Sequence, residues 1–388
     1  MSAARSSPSS MSASTPSSTP SSALFGTRDY TSVSRALGEL KARRPITINA
    51  PGEELFLLPV EGLNDERLAD FLSLCRPAVP DLIITQQRAV ALGLDATAPM
   101  AVRLPEELNA GEITDLVAER KSDTDTMARA ASPASVAAIQ LVKLTSGLPA
   151  VLAANMIGRD IGLNQSIVAV DAEAIGRFAV DATNSLAIAS EALVPLASGV
   201  SARFIVFCDA TGTDQVAIIV GKPDFAKPVP VRLHSACLTG DVFGSRRCDC
   251  GDQLALALTR MESLGGGVIL YLAQEGRGLG LANKMRTYRL QDGGLDTFDA
   301  NTTLGFDDDE RDYGVAARML QILNCSRIRL LTNNPAKLDG LAQAGIEIAD
   351  RIPLEAPVNP HNKRYLTTKA ARSGHQLLSV RTFASEKS

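Results

Sequence analysis

Three cysteines in the second half of this sequence have the type and spacing of a metal site. Cys237, Cys248 and Cys250 give the pattern C-x10-C-x-C, and the last two lie in the charged stretch RRCDCG. Thiolates are preferred ligands of Zn²⁺, and three protein ligands leave a fourth tetrahedral position for water, as in catalytic sites. Bound zinc lowers the pKa of that water to about 7, which makes hydroxide available at neutral pH. The spacing therefore predicts one zinc ion per chain.

Two other interpretations of these cysteines stay open at the level of sequence. Free cysteine is often buried, so the three residues could be unrelated members of a hydrophobic core. Alternatively, His234 could supply the fourth ligand of a closed, purely structural zinc site. The spacing alone does not reject that second interpretation.

Glycine and asparagine residues downstream could approach a phosphate group. Gly276, Gly278 and Gly280 permit close backbone approach, but they do not form the pattern GxGxxG and are a weak signal alone. The stretch 333–335 (NNP) follows a predicted strand and is typical of a helix N-terminus, where anions bind. Ordinary helix capping explains the same residues equally well.

Two further candidates have ordinary structural explanations when they are taken alone. The acidic run FDDDERD, which contains Asp309, is what the dipole of a predicted helix start favours. Tyr288 lies on a predicted helix, where a single tyrosine is usually an amphipathic core residue. Neither residue indicates catalysis without its surroundings.

The elements that must position these residues follow an alternating pattern of helices and strands. In the first half, periodicity and breakers predict helices at 29–43, 86–92, 136–145 and 171–186 and strands at 45–49, 81–85 and 150–154, with a loop at 119–130. In the second half, short runs at 201–208, 216–220 and 229–233 predict an antiparallel meander. Helices at 254–264 and 335–345 then alternate with strands at 268–272 and 327–332. The fold class predicted is α/β (α+β), in two domains.

Composition narrows the class of protein. The chain has 388 residues, which favours two domains, and 45% hydrophobic with 21% charged residues indicates a globular protein. A net charge of -4 and the absence of tryptophan argue against a nucleic-acid binder. No apolar run reaches the roughly 18 residues of a membrane span. The Ser/Pro/Ala-rich residues 1–25 predict a disordered tail and no secretory signal, so we expect a cytoplasmic protein without disulfides.

Several motifs of the second half resemble GTP cyclohydrolase II. They are VRLHSACLTGDVFGSRRCDCGDQL, QEGRGLGLANKMRTYRLQD, LGFDDDERDYGVAARML, LLTNNPAKLDGLAQAGIEI and the closing RIPL…NPHNKRYLTTKAARSGHQL. They follow the order of that family at similar spacings, and the match is dense from about residue 190 to residue 380. The resemblance implies hydrolysis of GTP to 2,5-diamino-6-(5-phosphoribosylamino)pyrimidin-4-one, formate and pyrophosphate, the first step of riboflavin biosynthesis.

The resemblance also implies a role for each matching position. Zinc would be bound by Cys237, Cys248 and Cys250, and Mg²⁺ would accompany the triphosphate. Asp309 would accept a proton, Arg311 would be the nucleophile on the α-phosphorus, and Tyr288 would act near the reacting base. Relatives without this tyrosine stop at the formylated, ring-opened compound. GTP would contact Arg232, Leu233, His234, Ser235, Gln253, Glu275, Gly276, Arg277, Thr297, Thr332 and Lys337. Family members are commonly dimers, so a homodimer is expected.

The first half resembles, more faintly, 3,4-dihydroxy-2-butanone 4-phosphate synthase. LKARRPITI, LADFLSLCRPAVPDLIITQQRAVALGL and SPASVAAIQLVKLTSGLPAVLAANM follow the order of its segments. However, residues 49–52 (NAPG) replace an acidic loop, residues 132–135 (SPAS) replace Gly-His-Thr-Glu, and Asn155 replaces a glutamate. The fold is therefore expected to persist while the Mg²⁺ ligands and the acid/base residues are lost.

These observations predict a tail at 1–25, a degenerate synthase-like domain at 26–185 and a cyclohydrolase domain at 190–388. Three alternatives remain at this point. Ala236 stands where the family has an acidic residue, which could indicate a relative that acts outside flavin synthesis, for example in pyrimidine catabolism. The first half could still be an active synthase, since Glu53 and Glu54 follow the replaced loop. The chain could also be a non-catalytic scaffold built on a retired enzyme.

Overall fold

The computed structural model of the protein describes residues 26–105, 107–119, 127–158 and 167–360, together with residues 362, 367 and 372. The predicted tail at 1–25, residues 120–126 of the predicted loop and most of the C-terminal motif lie outside the described residues. No helix in the described part of the chain is both long and apolar enough to cross a bilayer.

The first half forms one seven-stranded sheet with helices on both faces. Its strands lie in the order β5-β4-β3-β6-β2-β1-β7, antiparallel except for the β1–β7 pair. The elements are α1 (Arg28–Lys41), β1 (Ile46–Ala50), β2 (Glu53–Pro59), α2 (Asp65–Cys75), β3 (Asp81–Ile84), α3 (Gln86–Ala91), β4 (Met100–Arg103), α4 (Ala110–Ala118), β5 (Ala128–Ala130), α5 (Pro133–Leu144), β6 (Ala150–Asn155), β7 (Ala169–Asp171) and α6 (Ala172–Asn184).

Local sequence explains the helices that reach the second half of the chain. Thr85 caps α3 by accepting a hydrogen bond from the Arg88 amide. Ser132 caps α5, Pro133 follows as its first residue, and the helix ends at Leu144 before a left-handed residue, Ser146. The predicted helices at 86–92 and 136–145 are therefore confirmed, each within a few residues.

The second half forms a second seven-stranded sheet. Its order is β14-β13-β11-β12-β10-β9-β8. The elements are β8 (Ala187–Pro195), β9 (Ser201–Cys208), β10 (Asp214–Gly221), β11 (Val229–Ser235), α7 (Cys250–Ser263), β12 (Gly266–Leu272), α8 (Leu281–Asp292), α9 (Thr297–Thr303), α10 (Gly314–Ile322), β13 (Arg327–Leu331), α11 (Pro335–Gln343) and β14 (Glu347–Ile352). The α/β class predicted from the alternating pattern is confirmed.

The antiparallel meander has a different third member from the one predicted. It consists of β8, β9 and β10, whereas β11 lies parallel to both β12 and β13 in the middle of the sheet. All residues of β11 from Val231 to His234 are buried. A short apolar run of this kind fits a central parallel strand as well as a hairpin strand, and the strand pairing depends on residues far along the chain.

The two halves share a hydrophobic core. Leu279, Leu290, Ala300, Leu304 and Phe306 of the second half are buried in the same cluster as apolar residues of β2, β3, α2 and α4. The helices α8 and α9, which follow the cysteine motif, are consequently packed against the first half of the chain.

Candidate metal centre and active site

The three cysteines come together at the carboxyl end of β11. Cys237 follows that strand, a single wide turn covers Leu238–Val242, and Cys250 begins α7. The sulfur atoms all lie within 4.8 Å of one another, and the Cys237 and Cys248 Sγ atoms are 3.7 Å apart. Tetrahedral zinc with Zn–S bonds of about 2.3 Å requires a sulfur separation of about 3.8 Å. The cluster therefore has the donor set and the dimensions of a three-thiolate zinc site.

His234 does not belong to this donor set. Its Nε2 lies 3.1 Å from both carboxylate oxygens of Asp241, and its ring stacks on Tyr271 with the centroids 5.4 Å apart. Asp241 also accepts hydrogen bonds from the Cys237 amide at 3.0 Å and the Tyr271 hydroxyl at 2.9 Å. Burial lowers the pKa of His234, which favours a neutral ring. This network orients the main chain at the first cysteine, and the closed site with a histidine ligand is not what the fold forms.

A buried lysine lies against the sulfur cluster. Lys284 Nζ is 3.0 Å from Cys237 Sγ and 2.8 Å from Glu275 Oε1. Burial opposes the charge on Lys284, but Glu275 and Cys237 together raise its pKa above the usual value. Hydrogen bonds from the other two cysteines and from Lys284 lower the pKa of Cys237. At Cys237 the pocket therefore favours thiolate, the form of cysteine that binds metal.

One cavity opens beside the cysteines and collects most of the predicted site residues. Those that line it are Arg232, His234, Ser235, Cys237, Cys248, Cys250, Gln253, Glu275, Gly276, Arg277, Tyr288, Thr297, Arg311, Thr332 and Lys337. Two predicted residues do not line it. The Leu233 side chain is buried in the core and only its carbonyl faces Lys337, and Asp309 reaches the site through Arg311.

Two buried cations form the floor of the cavity. Arg232 donates to the Leu331 carbonyl at 3.0 Å and to Gln253 Oε1, and burial lowers its pKa to about 10. Among the described residues, its buried Nε atom has no hydrogen-bond partner. Lys337 donates to the Leu233 carbonyl at 2.7 Å. A buried positive charge is costly unless it is compensated, so the floor favours an anionic ligand.

Tyr288 lines the cavity from α8. The guanidinium of Arg247 lies over its ring at 4.4 Å from the centroid. Arg247 is in turn held by Asp292, one helical turn beyond Tyr288, at 2.9 and 3.3 Å. The segment between Cys237 and Cys250, here called the cysteine loop, is thus joined to α8 at the tyrosine by a cation–π contact and an ion pair.

Asp309 and Arg311 form a bidentate ion pair at the edge of the cavity. Arg311 Nε is 2.7 Å from Asp309 Oδ1, and its Nη2 is 2.5 Å from Oδ2. Burial alone would raise the pKa of Asp309, but Arg311 outweighs it and lowers that pKa below the usual value. The predicted helix start at Asp309 is wrong, because α10 begins only at Gly314. The two residues instead lie in the loop before it, where the amide of the intervening Glu310 donates to the Arg277 carbonyl at 3.1 Å.

Several cavity residues were not predicted from the sequence. They are Arg247, Asp249, Lys284, Thr287, Gln291 and Asn301. The sequence contains a pattern that indicates some of them. Polar residues recur at helical spacing on α8, namely Lys284, Thr287, Tyr288 and Gln291. A helix stripe of buried polar residues indicates a ligand site more strongly than any one member does.

Comparison with known proteins agrees with the geometry of the site. The family model of GTP cyclohydrolase II matches residues 186–353. The chain is 40% identical to a GTP cyclohydrolase-2 of Azospirillum brasilense over 359 residues, which covers 88% of this chain and 93% of that protein. It is 53% identical to the GTP cyclohydrolase-2 of Azotobacter vinelandii over 172 residues, 44% of this chain and 83% of that protein. It is 52% identical over 169 residues, 44% of this chain and 42% of the relative, to the riboflavin biosynthesis protein RibBA of Cytophaga hutchinsonii.

Proposed function

The chain belongs to the GTP cyclohydrolase II family of enzymes, and from this we propose that it hydrolyses GTP to 2,5-diamino-6-(5-phosphoribosylamino)pyrimidin-4-one, formate and pyrophosphate in riboflavin biosynthesis. The observation that carries this proposal is one cavity whose wall contains a three-thiolate cluster and whose floor contains buried cations. Opening a purine ring by hydrolysis needs the first feature, and holding a triphosphate needs the second.

Cys237, Cys248 and Cys250 would hold the zinc ion. The sulfur separation of 3.7 Å supports this assignment, as does the lysine that stabilises thiolate at Cys237. When bound there, zinc would supply Lewis acidity for hydrolysis at C8 of the guanine. The Asp241 carboxylate would keep Cys237 in place through its amide, a supporting contact of the kind that tunes metal sites.

The phosphate side of the reaction would belong to Arg311 and its neighbours. The Asp309 carboxylate, with its lowered pKa, contacts two guanidinium nitrogens and would accept a proton as Arg311 attacks the α-phosphorus. Arg232, Arg277 and Lys337 would neutralise the charge that develops on the leaving pyrophosphate. Mg²⁺ would enter with the triphosphate, since the cysteines are the one metal-ligand cluster in the described part of the chain.

The base would lie between the zinc cluster and α8. Tyr288 lines the cavity on that side, and Thr287, Gln291 and Asn301 offer polar groups beside it. With Tyr288 present, the reaction would proceed past the formylated intermediate to the diaminopyrimidine. Arg247 of the cysteine loop holds the Tyr288 ring, so the position of the ring would depend on the metal site.

The first half of the chain would be folded but inactive as a synthase. Proton abstraction from ribulose 5-phosphate needs a divalent ion held by carboxylates. Glu53 instead accepts a hydrogen bond from the Ser132 hydroxyl at 2.6 Å, and the Asn155 side chain accepts from the Glu54 amide at 3.4 Å. No carboxylate metal cluster forms among the residues described in this half. Three statements remain predictions. They are the domain boundaries at 26–185 and 190–388, a cytoplasmic location, and a homodimer.

The test is to incubate purified protein with GTP, Zn²⁺ and Mg²⁺ and to identify the products by mass. We expect formate, pyrophosphate and the deformylated diaminopyrimidine in equal amounts. Cys248→Ser should lose most of the metal and all formate release, while Cys325→Ser, a buried cysteine outside the cluster, is the matched control and should keep both. GTP that is left intact by zinc-loaded protein would contradict the proposal.

A further inference from the structure

The loop that carries Asp309 and Arg311 lies between two walls. On one side, the Glu310 amide donates to the Arg277 carbonyl at 3.1 Å. Gly278 approaches so closely that a Cβ atom there would lie 2.7 Å from the Glu310 carbonyl oxygen. On the other side, Lys143 at the end of α5 donates to Glu310 Oε1 at 2.6 Å. That second wall belongs to the first half of the chain, 167 residues away in sequence.

Glu310 joins the two walls through its side chain. The oxygen that accepts from Lys143 also accepts from the Asp307 amide at 2.8 Å, so one carboxylate closes the turn and ties it to α5. The Lys143 and Glu310 side chains are only 22% and 18% exposed. An ion pair shielded in this way holds its geometry better than a surface pair does. Glu310 lies between Asp309 and Arg311 in the sequence. Holding its side chain in place therefore also restricts the backbone of both neighbours.

The start of the same loop is also held by the first half. Arg88 is buried and donates from Nη1 to the Thr303 carbonyl at 2.7 Å and from Nε to the Leu116 carbonyl at 2.8 Å. Leu304 and Phe306 pack in the core of the first half. These contacts with the first half therefore restrict the motion of the segment between Thr303 and Glu310.

From these contacts we infer that the first half of the chain positions the catalytic loop of the cyclohydrolase, with Lys143 as the positioning residue. The inference rests on the proposed function, because it assumes that Asp309 and Arg311 act on GTP. The first half, proposed to be inactive as a synthase, would then still contribute to catalysis. It provides the surface against which the loop with Asp309 and Arg311 is ordered. Misplacement of a reacting group by about 1 Å costs up to about 10²-fold in rate.

The experiment compares full-length Lys143→Met, Lys143→Arg and Glu310→Gln with the parent protein. The matched control is Glu119→Gln, which removes another ion pair between the halves, to Arg289, at a more exposed position. For each protein we would measure kcat and KM for pyrophosphate release, zinc content and hydrogen exchange of residues 303–313. Lys143→Met should lower kcat about tenfold or more at parent zinc content, and Lys143→Arg should recover most of that loss.

Two further measurements test the inference. The double variant Lys143→Met/Glu310→Gln should be no slower than Lys143→Met, because Lys143 contacts both Glu310 and Asp307 and its loss already removes both ion pairs. Exchange should rise in residues 303–313 of Lys143→Met and stay at the parent rate in Glu119→Gln. Parent kcat in Lys143→Met, or an equal loss in Glu119→Gln, would overturn the inference. A parent protein that leaves GTP intact would instead refute the proposed function.

Discussion

Replacing Gly240 with alanine tests the proposed zinc site, because this glycine lies against the three cysteines. Gly240 lies in the turn between the first two cysteines, and a Cβ atom added there would enter the space between the ligands. It would lie 2.9 Å from Cys248 Sγ, 3.0 Å from Cys237 Sγ and 3.0 Å from Cys250 Cβ. Real Cβ atoms keep contacts of about 3.5 Å or more, so the sulfurs must move by roughly 0.5 Å.

That displacement exceeds what a zinc site accepts. Ligand distances in zinc sites stay within about 0.2 Å of their ideal values. The Cys237 and Cys248 sulfurs are 3.7 Å apart, near the tetrahedral separation, and both would be pushed by the same methyl group. Disturbing the orientation of ligands costs about 10- to 100-fold in metal affinity. We therefore expect Gly240→Ala to bind zinc about 10- to 100-fold more weakly, which is about 1.4 to 2.7 kcal/mol.

The assay is competition for zinc between the protein and a chelating dye, with formate release measured alongside. Gly244→Ala is the matched control, because Gly244 lies just beyond that turn in the same segment between Cys237 and Cys248. Gly244 has a φ of +62°, and an added Cβ would meet nothing within 4 Å. Alanine there should cost about 1 to 2 kcal/mol of backbone strain but leave the zinc affinity unchanged. If Gly240→Ala held zinc as tightly as the parent, the three sulfurs would not be the ligands that the geometry indicates.

Three further predictions address the chemistry. Arg311→Ala should keep its zinc but lose at least about 10²-fold in pyrophosphate release, and release at the parent rate would refute the nucleophile assignment. Tyr288→Phe should slow deformylation by about 10²-fold or more, so that mass spectrometry detects the formylated, ring-opened compound; an unchanged product would remove Tyr288 from that step. The full chain and residues 1–185 should both fail to convert ribulose 5-phosphate with Mg²⁺, and dihydroxybutanone phosphate above background in either assay would show a working synthase.

The sequence by itself determined the class of fold and predicted most of the residues that line the cavity. Helical periodicity and strand-like runs depend on neighbours within a few positions, and the α/β alternation was predictable for that reason. The cysteine spacing indicated the donor set, and the order of the motifs indicated the family. The polar stripe on α8 is also a local pattern, although Tyr288 is its only member that was predicted as a site residue.

Tertiary structure alone decided which distant segments meet. The position of β11 between β12 and β13 depends on pairing between strands far apart in the sequence, as the pairing of Val229 with Ile328 shows. His234 pairs with Asp241 and not with a metal because the turn at Leu238–Val242 brings Asp241 back beside β11. The contact of Lys143 with Glu310 is decided in the same way. Local patterns specify which side chains are buried, but the partner of a buried polar group is set only when the whole chain is packed.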